Sequence, residues 1–350
     1  MDAKTLLVNG TSGDPAVFCH KPNDGSAWLF DCGSIDNLTT KDVLRCDAVF
    51  VSHTHIDHFI GFDRFLRVNV PHFRRKLVIG PAGMAANVAG KMKGYIWNLL
   101  APGQIAFTVR EVAGDGGVSE WDVASDHNFE PKTGCYRSES RGPVARVAAL
   151  SPRVVVDAVA LDHGTDSIAY RVSAAGKWRV SVDALSADGL APGPWLGTLQ
   201  AAMYEGRGEA LIAIAGHEER ADILGARYLT MVPGQSVGYI TDLAFNGSNL
   251  RRCKDLLAET SVLISETSFR DIDRSRAVQK KHLTTRQAAL IAASCGVKKL
   301  MSFHVSNIYG EETAAVAAEA AAFFETFCAM DTAALDAAVG AELALSASLS

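Results

Sequence analysis

His53-Thr54-His55-Ile56-Asp57-His58 places four metal-binding side chains within six consecutive residues. Zinc is held by imidazole nitrogens and carboxylate oxygens, and a catalytic site keeps one position open for water. His53 and His55 stand two apart in a segment that continues from an apolar run, 47–52, read as a strand. Their side chains can therefore point the same way. Asp57 and His58 follow at a turn, where the chain can bend to aim both at a second ion. A ligand pair two apart, then a carboxylate–imidazole pair, suits two adjacent ions better than one. The chain has only 10 histidines in 350 residues, so three within six positions argue against a chance surface loop.

Composition sets the class around this cluster. Hydrophobic residues make up 48% and charged residues 21%, the balance of a soluble globular protein with a sizeable core. The formal charge is −5, so a polyanionic substrate would have to be met by a local basic patch. The cysteines Cys19, Cys32, Cys46, Cys135, Cys253, Cys295 and Cys328 are scattered, odd in number and form no Cys-x-x-Cys pair. That pattern excludes a zinc ribbon and a disulfide framework and fits a reducing compartment. The opening Met1-Asp2-Ala3-Lys4-Thr5 shows no basic region followed by an apolar run. No uninterrupted apolar stretch reaches the ~20 residues that a membrane span needs. The expectation is a soluble cytoplasmic protein with no membrane partner.

Short β-branched runs alternate with helical patterns along the chain. Residues 27–31, 47–52, 76–80, 105–112, 154–161 and 167–172 read as strands. The runs 237–241, 262–265 and 300–303 each end at a polar, reactive residue. Helical spacing covers 83–100, 250–257, 284–294 and 313–327, with Thr284 and Thr285 as caps for the third. Strands cluster early and helices separate strands later, which is an α/β pattern. Residues 114–146, polar and glycine-rich, read as a surface excursion, and 188–200, with Pro192-Gly193-Pro194 and Gly197, as a loop. One domain is expected over 1–330, followed by an Ala/Ser-rich tail over 331–350, frayed or partly helical.

Ser52-His53-Thr54-His55-Ile56-Asp57-His58, with Gly61 after it, resembles the His-x-His-x-Asp-His signature of the metallo-β-lactamase superfamily. The resemblance implies that 1–330 is a hydrolase domain with the αβ/βα four-layer sandwich, its two-metal site at the edge of the two sheets. It also implies the remaining ligands. His163, in Leu161-Asp162-His163-Gly164, would complete the first ion with His53 and His55. Asp242, after the run 237–241, would bridge both ions, and His304, after 300–303, would join Asp57 and His58 on the second. Asp31, in Phe30-Asp31-Cys32-Gly33, resembles the superfamily's early aspartate, which holds the histidine loop from behind.

The flanking residues resemble one branch, the ribonuclease Z family of endonucleases that trim transfer-RNA 3′ ends. Gly80-Pro81-Ala82-Gly83 is similar to its Gly-Pro-x-Gly turn. Gly189-Leu190-Ala191-Pro192-Gly193-Pro194, with Leu199, is similar to the glycine/proline segment near its tRNA-gripping arm. Ser265-Glu266-Thr267 and His282-Leu283-Thr284 resemble its His-Glu-Ala-Thr and His-Ser-Thr motifs, and Phe303-His304-Val305-Ser306, with Tyr309, its Thr-His-Phe-Ser segment. Three features depart from the family. Ser265 replaces its usual His, Leu243 follows Asp242 where Thr is usual, and no long extra arm is visible between His163 and Asp242.

The resemblance implies a metal-dependent phosphodiesterase that cleaves tRNA precursor 3′ trailers with a metal-bridging hydroxide. Two ions about 3.5–4 Å apart suit that chemistry, neutralising charge on the entering and leaving oxygens. Asp57 would orient the nucleophile or take its proton. His282, paired with Glu266, would steady the non-bridging oxygens or protonate the leaving group. Arg64, Arg67, Arg74, Arg75 and Lys76 form a basic segment that either contacts phosphates or solvates a helix face. Trp195 either stacks on a base or anchors its loop. His20, His72, His127 and His217 have no partner motif and read as structural or exposed. The expected cofactors are two divalent ions, zinc first, with manganese or iron also suited to the ligands. The expected partner is RNA (a tRNA precursor) or a small phosphodiester, and the resemblance implies a homodimer. The alternatives are a small-molecule or cyclic-nucleotide phosphodiesterase, or a lactone, thioester or β-lactam hydrolase, which needs no His282–Glu266 pair.

Overall fold

The structure is a computed structural model, which describes residues 4–21 and 25–349. Met1–Ala3, part of the opening read above for a leader, lie outside the described residues.

The first sheet has eight strands in chain order. They are β1 (Lys4–Leu7), β2 (Val17–His20), β3 (Ala27–Phe30), β4 (Cys46–Phe50), β5 (Lys76–Pro81), β6 (Ala106–Val112), β7 (Val118–Ala124) and β8 (Lys132–Thr133). Strands β3 to β6 pair in parallel, with antiparallel pairs on either side. Its helices are α1 (Thr40–Arg45), the single turn α2 (Ile56–Phe59), α3 (Phe62–Asn69) and α4 (Met84–Lys93). Leu29, Val49, Val51 and Val78 pack under these helices with Val43, Phe62, Leu66 and Val88. Their neighbours Trp28, Phe30, Phe50 and Ile79 point to the other face and are buried as well. Strands buried on both faces read as unbroken apolar runs rather than as alternation, which is why the sequence shows them so plainly.

The second sheet begins with β9 (Ser140–Arg141), β10 (Val144–Ser151), β11 (Val154–Asp162) and β12 (Asp166–Ala174). Residues 114–146 are therefore not a free excursion. Val118–Ala124 pairs with β6 along its whole length, and its charged outward residues hid the pattern. The chain then builds a second compact unit, Ala174–Gln235. This unit contains β13 (Lys177–Val180), α5 (Val182–Ala187), α6 (Pro194–Tyr204), β14 (Leu211–Ile214), β15 (His217–Arg220), α7 (Ala221–Tyr228) and β16 (Leu229–Val232). Leu185, Leu199, Ile212, Leu224 and Tyr228 form its own core. The expectation of no long arm between His163 and Asp242 is corrected here. Four-residue strands with charged alternate positions give too short a periodic signal to register. Nor are 188–200 all loop: Pro194 takes the first helical position of α6, where its missing N–H costs nothing.

The second sheet resumes with β17 (Ser236–Ile240), then α8 (Gly247–Leu257), β18 (Val262–Glu266), α9 (Arg274–Lys280), α10 (Thr285–Ser294) and β19 (Leu300–Phe303). Its order is β19-β18-β17-β12-β11-β10-β9, with β17, β18 and β19 parallel. Thr284 caps α10 in a full capping box with Gln287. Leu250, Leu256, Leu290 and Ile291 cover the outer face of this sheet. Its inner face meets the first sheet: Tyr239 stacks on Phe30 at 5.0 Å, and the Tyr170 hydroxyl donates to the Val51 carbonyl at 2.7 Å. Two sheets face each other and helices lie outside both, giving four layers.

Two helices close the chain, α11 (Thr313–Cys328) and α12 (Thr332–Leu349). The tail read from sequence as frayed or partly helical is an 18-residue helix in the same compact unit as both sheets. Alanine-rich sequence favours a helix, and the buried carboxylate of Glu342 docks it against Arg274, Arg286 and Gln287. By length and composition α12 is apolar enough to cross a membrane.

Candidate metal centre

Parallel strands deliver their C-terminal ends to one edge, where the antiparallel β11 also ends, and the candidate residues sit at those ends. Asp31 follows β3, Ser52 to His58 follow β4, His163 follows β11, Asp242 follows β17, and His304 follows β19. Asp31, Asp242 and His304 all have left-handed backbones, φ 54°, 51° and 52°. Such conformations are uncommon for residues with a Cβ and gather at functional sites.

The carboxylate of Asp242 lies at the middle of the cluster. Its Oδ2 is 3.6 Å from His53 Nε2 and 3.4 Å from His163 Nε2. Its Oδ1 is 3.5 Å from His58 Nε2 and 3.2 Å from His304 Nε2. Asp57 Oδ2 is 3.6 Å from His58 Nε2 and 4.0 Å from His304 Nε2. The ligand atoms of His53, His55, His163 and Asp242 all lie within 4.8 Å of one another, and those of Asp57, His58 and His304 do too. The structure thus brings together all seven residues read from the sequence.

The donor set fits metal ions. His53 Nε2 and His58 Nε2 are buried and have no hydrogen-bond partner, a costly condition for a polar atom that nothing engages. Two atoms bound to one tetrahedral zinc stand about 3.3 Å apart, close to the separations around Asp242. The far sides of the rings are already fixed. His53 Nδ1 is 3.0 Å from Ser52 Oγ, His58 Nδ1 donates to Asp31 Oδ2 at 2.7 Å, and His163 Nδ1 donates to the Lys281 carbonyl at 2.9 Å. Such contacts choose the tautomer that leaves Nε2 bare for an ion.

Asp31 is held in turn. It accepts from the Ser52 N–H at 2.6 Å, the Ser52 hydroxyl at 2.8 Å and the Tyr239 hydroxyl at 2.6 Å. Burial, then the charge of His58, pushes His53 down to about 2, so its ring is neutral. Burial opposes a charge on His58, but Asp242 and Asp31 outweigh it and hold the ring well above its ordinary value. Burial likewise opposes the Asp242 carboxylate, and His304 and His58 more than offset it.

Glu266 and His282 stand beside this cluster. His282 Nδ1 donates to Glu266 Oε2 at 2.8 Å and is 3.9 Å from Asp242 Oδ2. Burial alone would lower His282, but Glu266 and then Asp242 raise it to about 9. Ser268 Oγ donates to Glu266 Oε2 at 2.7 Å, and the Leu243 N–H donates to Glu266 Oε1 at 2.9 Å. Leu243 thus serves through its backbone, and its side chain lies in the outer core. Ser265 turns its hydroxyl to the Glu266 carbonyl, 2.9 Å away, rather than to the cluster. A cavity of about 470 Å³ opens over Asp57, His163, Asp242, His282 and His304, with Lys280 at its wall.

In the basic segment, four of the five basic residues face acids or a carbonyl, and Arg67 stays exposed on α3. Lys76 is buried with its Nζ on the Cys46 carbonyl, Arg74 and Arg64 face Asp47 and Asp36, and Arg75 pairs with Asp122. Sequence reading gave no role to Ser52, Tyr239, Ser268 or the Lys281 carbonyl. Ser52 could have been found from its place directly before His53. Tyr239 could not, because 208 residues separate it from Asp31.

No family model matches the chain. A ribonuclease Z of Deinococcus radiodurans is 33% identical over 286 residues, covering 81% of this chain and 83% of that protein. The chain belongs to the ribonuclease Z family. A ribonuclease Z of Thermobifida fusca is 33% identical over 339 residues, 93% of this chain and 91% of its own. Among solved structures, the short form of human tRNase Z superposes with a TM-score of 0.53 at 18% identity, covering 88% of this chain and 94% of that one. The four layers are the metallo-β-lactamase fold. Ribonuclease Z membership and the His/Asp cluster make the chain a metal-dependent hydrolase.

Proposed function

We propose that this ribonuclease Z removes 3′ trailers from tRNA precursors by endonucleolytic phosphodiester cleavage. The observation that carries the reading is Asp242, whose two oxygens face separate histidine pairs, with the His282–Glu266 pair opening on the same cavity.

His53, His55 and His163 would hold one divalent ion, Asp57, His58 and His304 a second, and Asp242 would stand between them. Two such ions supply charge neutralisation at a phosphodiester and a water acidic enough to ionise near neutral pH. Imidazole and carboxylate ligands suit zinc first, then manganese or iron. Asp57, partly exposed at the cavity, orients the attacking water or accepts its proton. Against burial, Glu266 raises His282, so the ring is a ready proton donor. Glu266 holds its Nδ1, leaving Nε2 to donate to a non-bridging oxygen or to the departing hydroxyl.

The unit Ala174–Gln235 holds Asp183, Asp188, Glu205, Glu209, Glu218, Glu219 and Asp222 against Lys177, Arg179, Arg207, Arg220 and Arg227. Three of its arginines are ion-paired with its own acids. RNA contact there would use aromatic and backbone groups more than charge, with Trp195, now set against Tyr228 at 5.8 Å, as an anchor of the unit. The reading extends to a cytoplasmic homodimer with no membrane partner, for which a sedimentation mass of twice 37.3 kDa is expected.

The experiment incubates purified protein and zinc or manganese with a 3′-extended tRNA precursor and with bis-p-nitrophenyl phosphate. Cleavage of the precursor at the trailer junction supports the reading. Cleavage of the small diester alone would replace tRNA by a small phosphodiester, and cleavage of neither would return lactones, thioesters and β-lactams as substrates.

A further inference from the structure

His282 sits in a short connection between α9 and α10, and both helices are gripped from outside by the C-terminal pair. The buried carboxylate of Glu342, on α12, receives Arg274 Nη2 at 3.1 Å, with Arg274 Nε also 3.1 Å away. Arg274 is the first residue of α9. The same carboxylate receives Arg286 Nε at 3.2 Å and Gln287 Nε2 at 2.9 Å, both on α10. Gln287 in turn accepts the N–H of Thr284 at 3.0 Å. One carboxylate therefore ties the helix before His282 to the helix after it.

His282 cannot move independently of those helices. Its own N–H donates to the Ala277 carbonyl in α9 at 2.9 Å. Helix α9 has only seven residues, too few to stand without tertiary support. Glu319 on α11 adds a second tie, accepting the Asp271 N–H at 3.0 Å and the Thr285 hydroxyl at 2.9 Å. Glu319 thus also spans both flanks, but from the turn before α9, whereas Glu342 joins a residue of α9 itself to α10, with its side chain only 2% exposed. A buried carboxylate between two guanidiniums leaves unpaired charge behind when it is removed, so the tie is costly to break.

We propose that Glu342 is a positioning residue for His282: it fixes α9 against α10 so that the imidazole stays over the reacting phosphate. The proposal rests on the reading of His282 as a participant in diester cleavage. Misplacing a reacting group by about an ångström lowers rate on the order of tenfold to a hundredfold, while substrate affinity and metal content stay as they are.

The test compares Glu342→Gln, His282→Ala and the double variant, in single-turnover cleavage of a 3′-extended tRNA precursor with saturating zinc. Thermal unfolding and metal analysis accompany each, and Arg286→Gln serves as a milder variant of the same tie. Glu342→Gln is expected to lower kcat with KM and zinc content unchanged, and the double variant to be no slower than His282→Ala alone. Arg286→Gln should show a smaller loss of the same kind, also absent when His282 is missing. Wild-type kcat in Glu342→Gln overturns the proposal. So does a loss from Glu342→Gln that persists in full in the His282→Ala background, since the effect would then act through something else. Full activity of His282→Ala overturns the participation of His282, and this proposal with it, a result distinct from either of the others.

Discussion

The Nδ1–H of His163 points at the carbonyl oxygen of Lys281, 2.9 Å away and 118 residues later in the chain. Lys281 can present that carbonyl because it ends α9 in the left-handed region, at φ 55°. The ring of His163, a candidate ligand on the second sheet, is thus aimed by a backbone turn beside His282.

Lys281→Gly should keep that turn and leave zinc binding near the wild-type level. Lys281→Val should strain it by about 1–3 kcal/mol, since a β-branched residue resists positive φ. Loss of such an outer contact typically weakens metal binding about 10- to 100-fold. Competition for zinc against a chromophoric chelator reads the difference, and equal affinity in both variants would remove the carbonyl from the site.

Asp242→Asn should cost at least one of the two ions and nearly all activity. The amide keeps the shape but offers only one good donor oxygen where Oδ1 and Oδ2 each face a histidine pair. Elemental analysis should fall from two ions per chain to one or fewer. Chelator treatment of the wild type should likewise abolish cleavage and lower the unfolding temperature, because binding to the native state alone stabilises it.

Gly61→Ala tests how the histidine loop is seated. A Cβ on Gly61 would come within 1.9 Å of the Gly33 carbonyl oxygen, a backbone atom with no room to yield. The Gly61 N–H and the Cys32 carbonyl lie 2.9 Å apart, so the two loops cannot separate cheaply. A loss of roughly 3 kcal/mol or more in chemical denaturation is expected, with zinc affinity falling in parallel.

Tyr239→Phe preserves the stack on Phe30 but deletes the hydroxyl that donates to Asp31 at 2.6 Å. Leaving a buried carboxylate short of one donor costs about 1–3 kcal/mol. Because Asp31 also holds His58, the ion beside Asp57, His58 and His304 should bind more weakly than its neighbour. Stepwise zinc titration separates the two, and uniform weakening would contradict the assignment.

Glu319 gives a pH dependence. Burial works against its charge, but the Asp271 N–H and then Arg270 outweigh that and hold it below the ordinary range. A carboxyl lowered on folding stabilises the fold fully above its unfolded value of about 4.3, and that stability is lost as pH falls through the folded value. The stability gap between wild type and Glu319→Gln should therefore be widest near neutrality and close as the solution is acidified. A gap that stays constant with pH would assign Glu319 a packing role alone.

The clustering of the candidate metal loop was legible because its candidate ligands are adjacent in sequence, and Glu266 and His282 stood out because they fall within recognisable short motifs. Asp242 and His304 showed themselves as polar residues at the ends of apolar runs, and the run before Asp242 is a strand buried on both faces. What could not be read was whatever depends on distant pairing. Arg64 and Arg75 look like free charge in the chain and become structural only when Asp36 and Asp122 arrive beside them. The C-terminal segment has little amphipathic pattern, and it docks through Val339 in the core and through Glu342 meeting Arg274 and Arg286 from other helices. The unit Ala174–Gln235 was missed for a related reason: its strands are too short to announce themselves.

That unit also closes on itself. The N–H of Ala174 donates to the carbonyl of Gln235 at 3.0 Å, and β12 and β17 pair from Ser173 opposite Ser236 inward. The inserted chain thus leaves and rejoins the sheet at one rung of the ladder, where a tight turn would serve as well. Lengthening, exchange or deletion at this rung need not disturb the register that carries Asp242 to the histidine cluster. Evolution can therefore revise the appendage and the hydrolytic centre on separate schedules, as one fits a new handle without regrinding the blade.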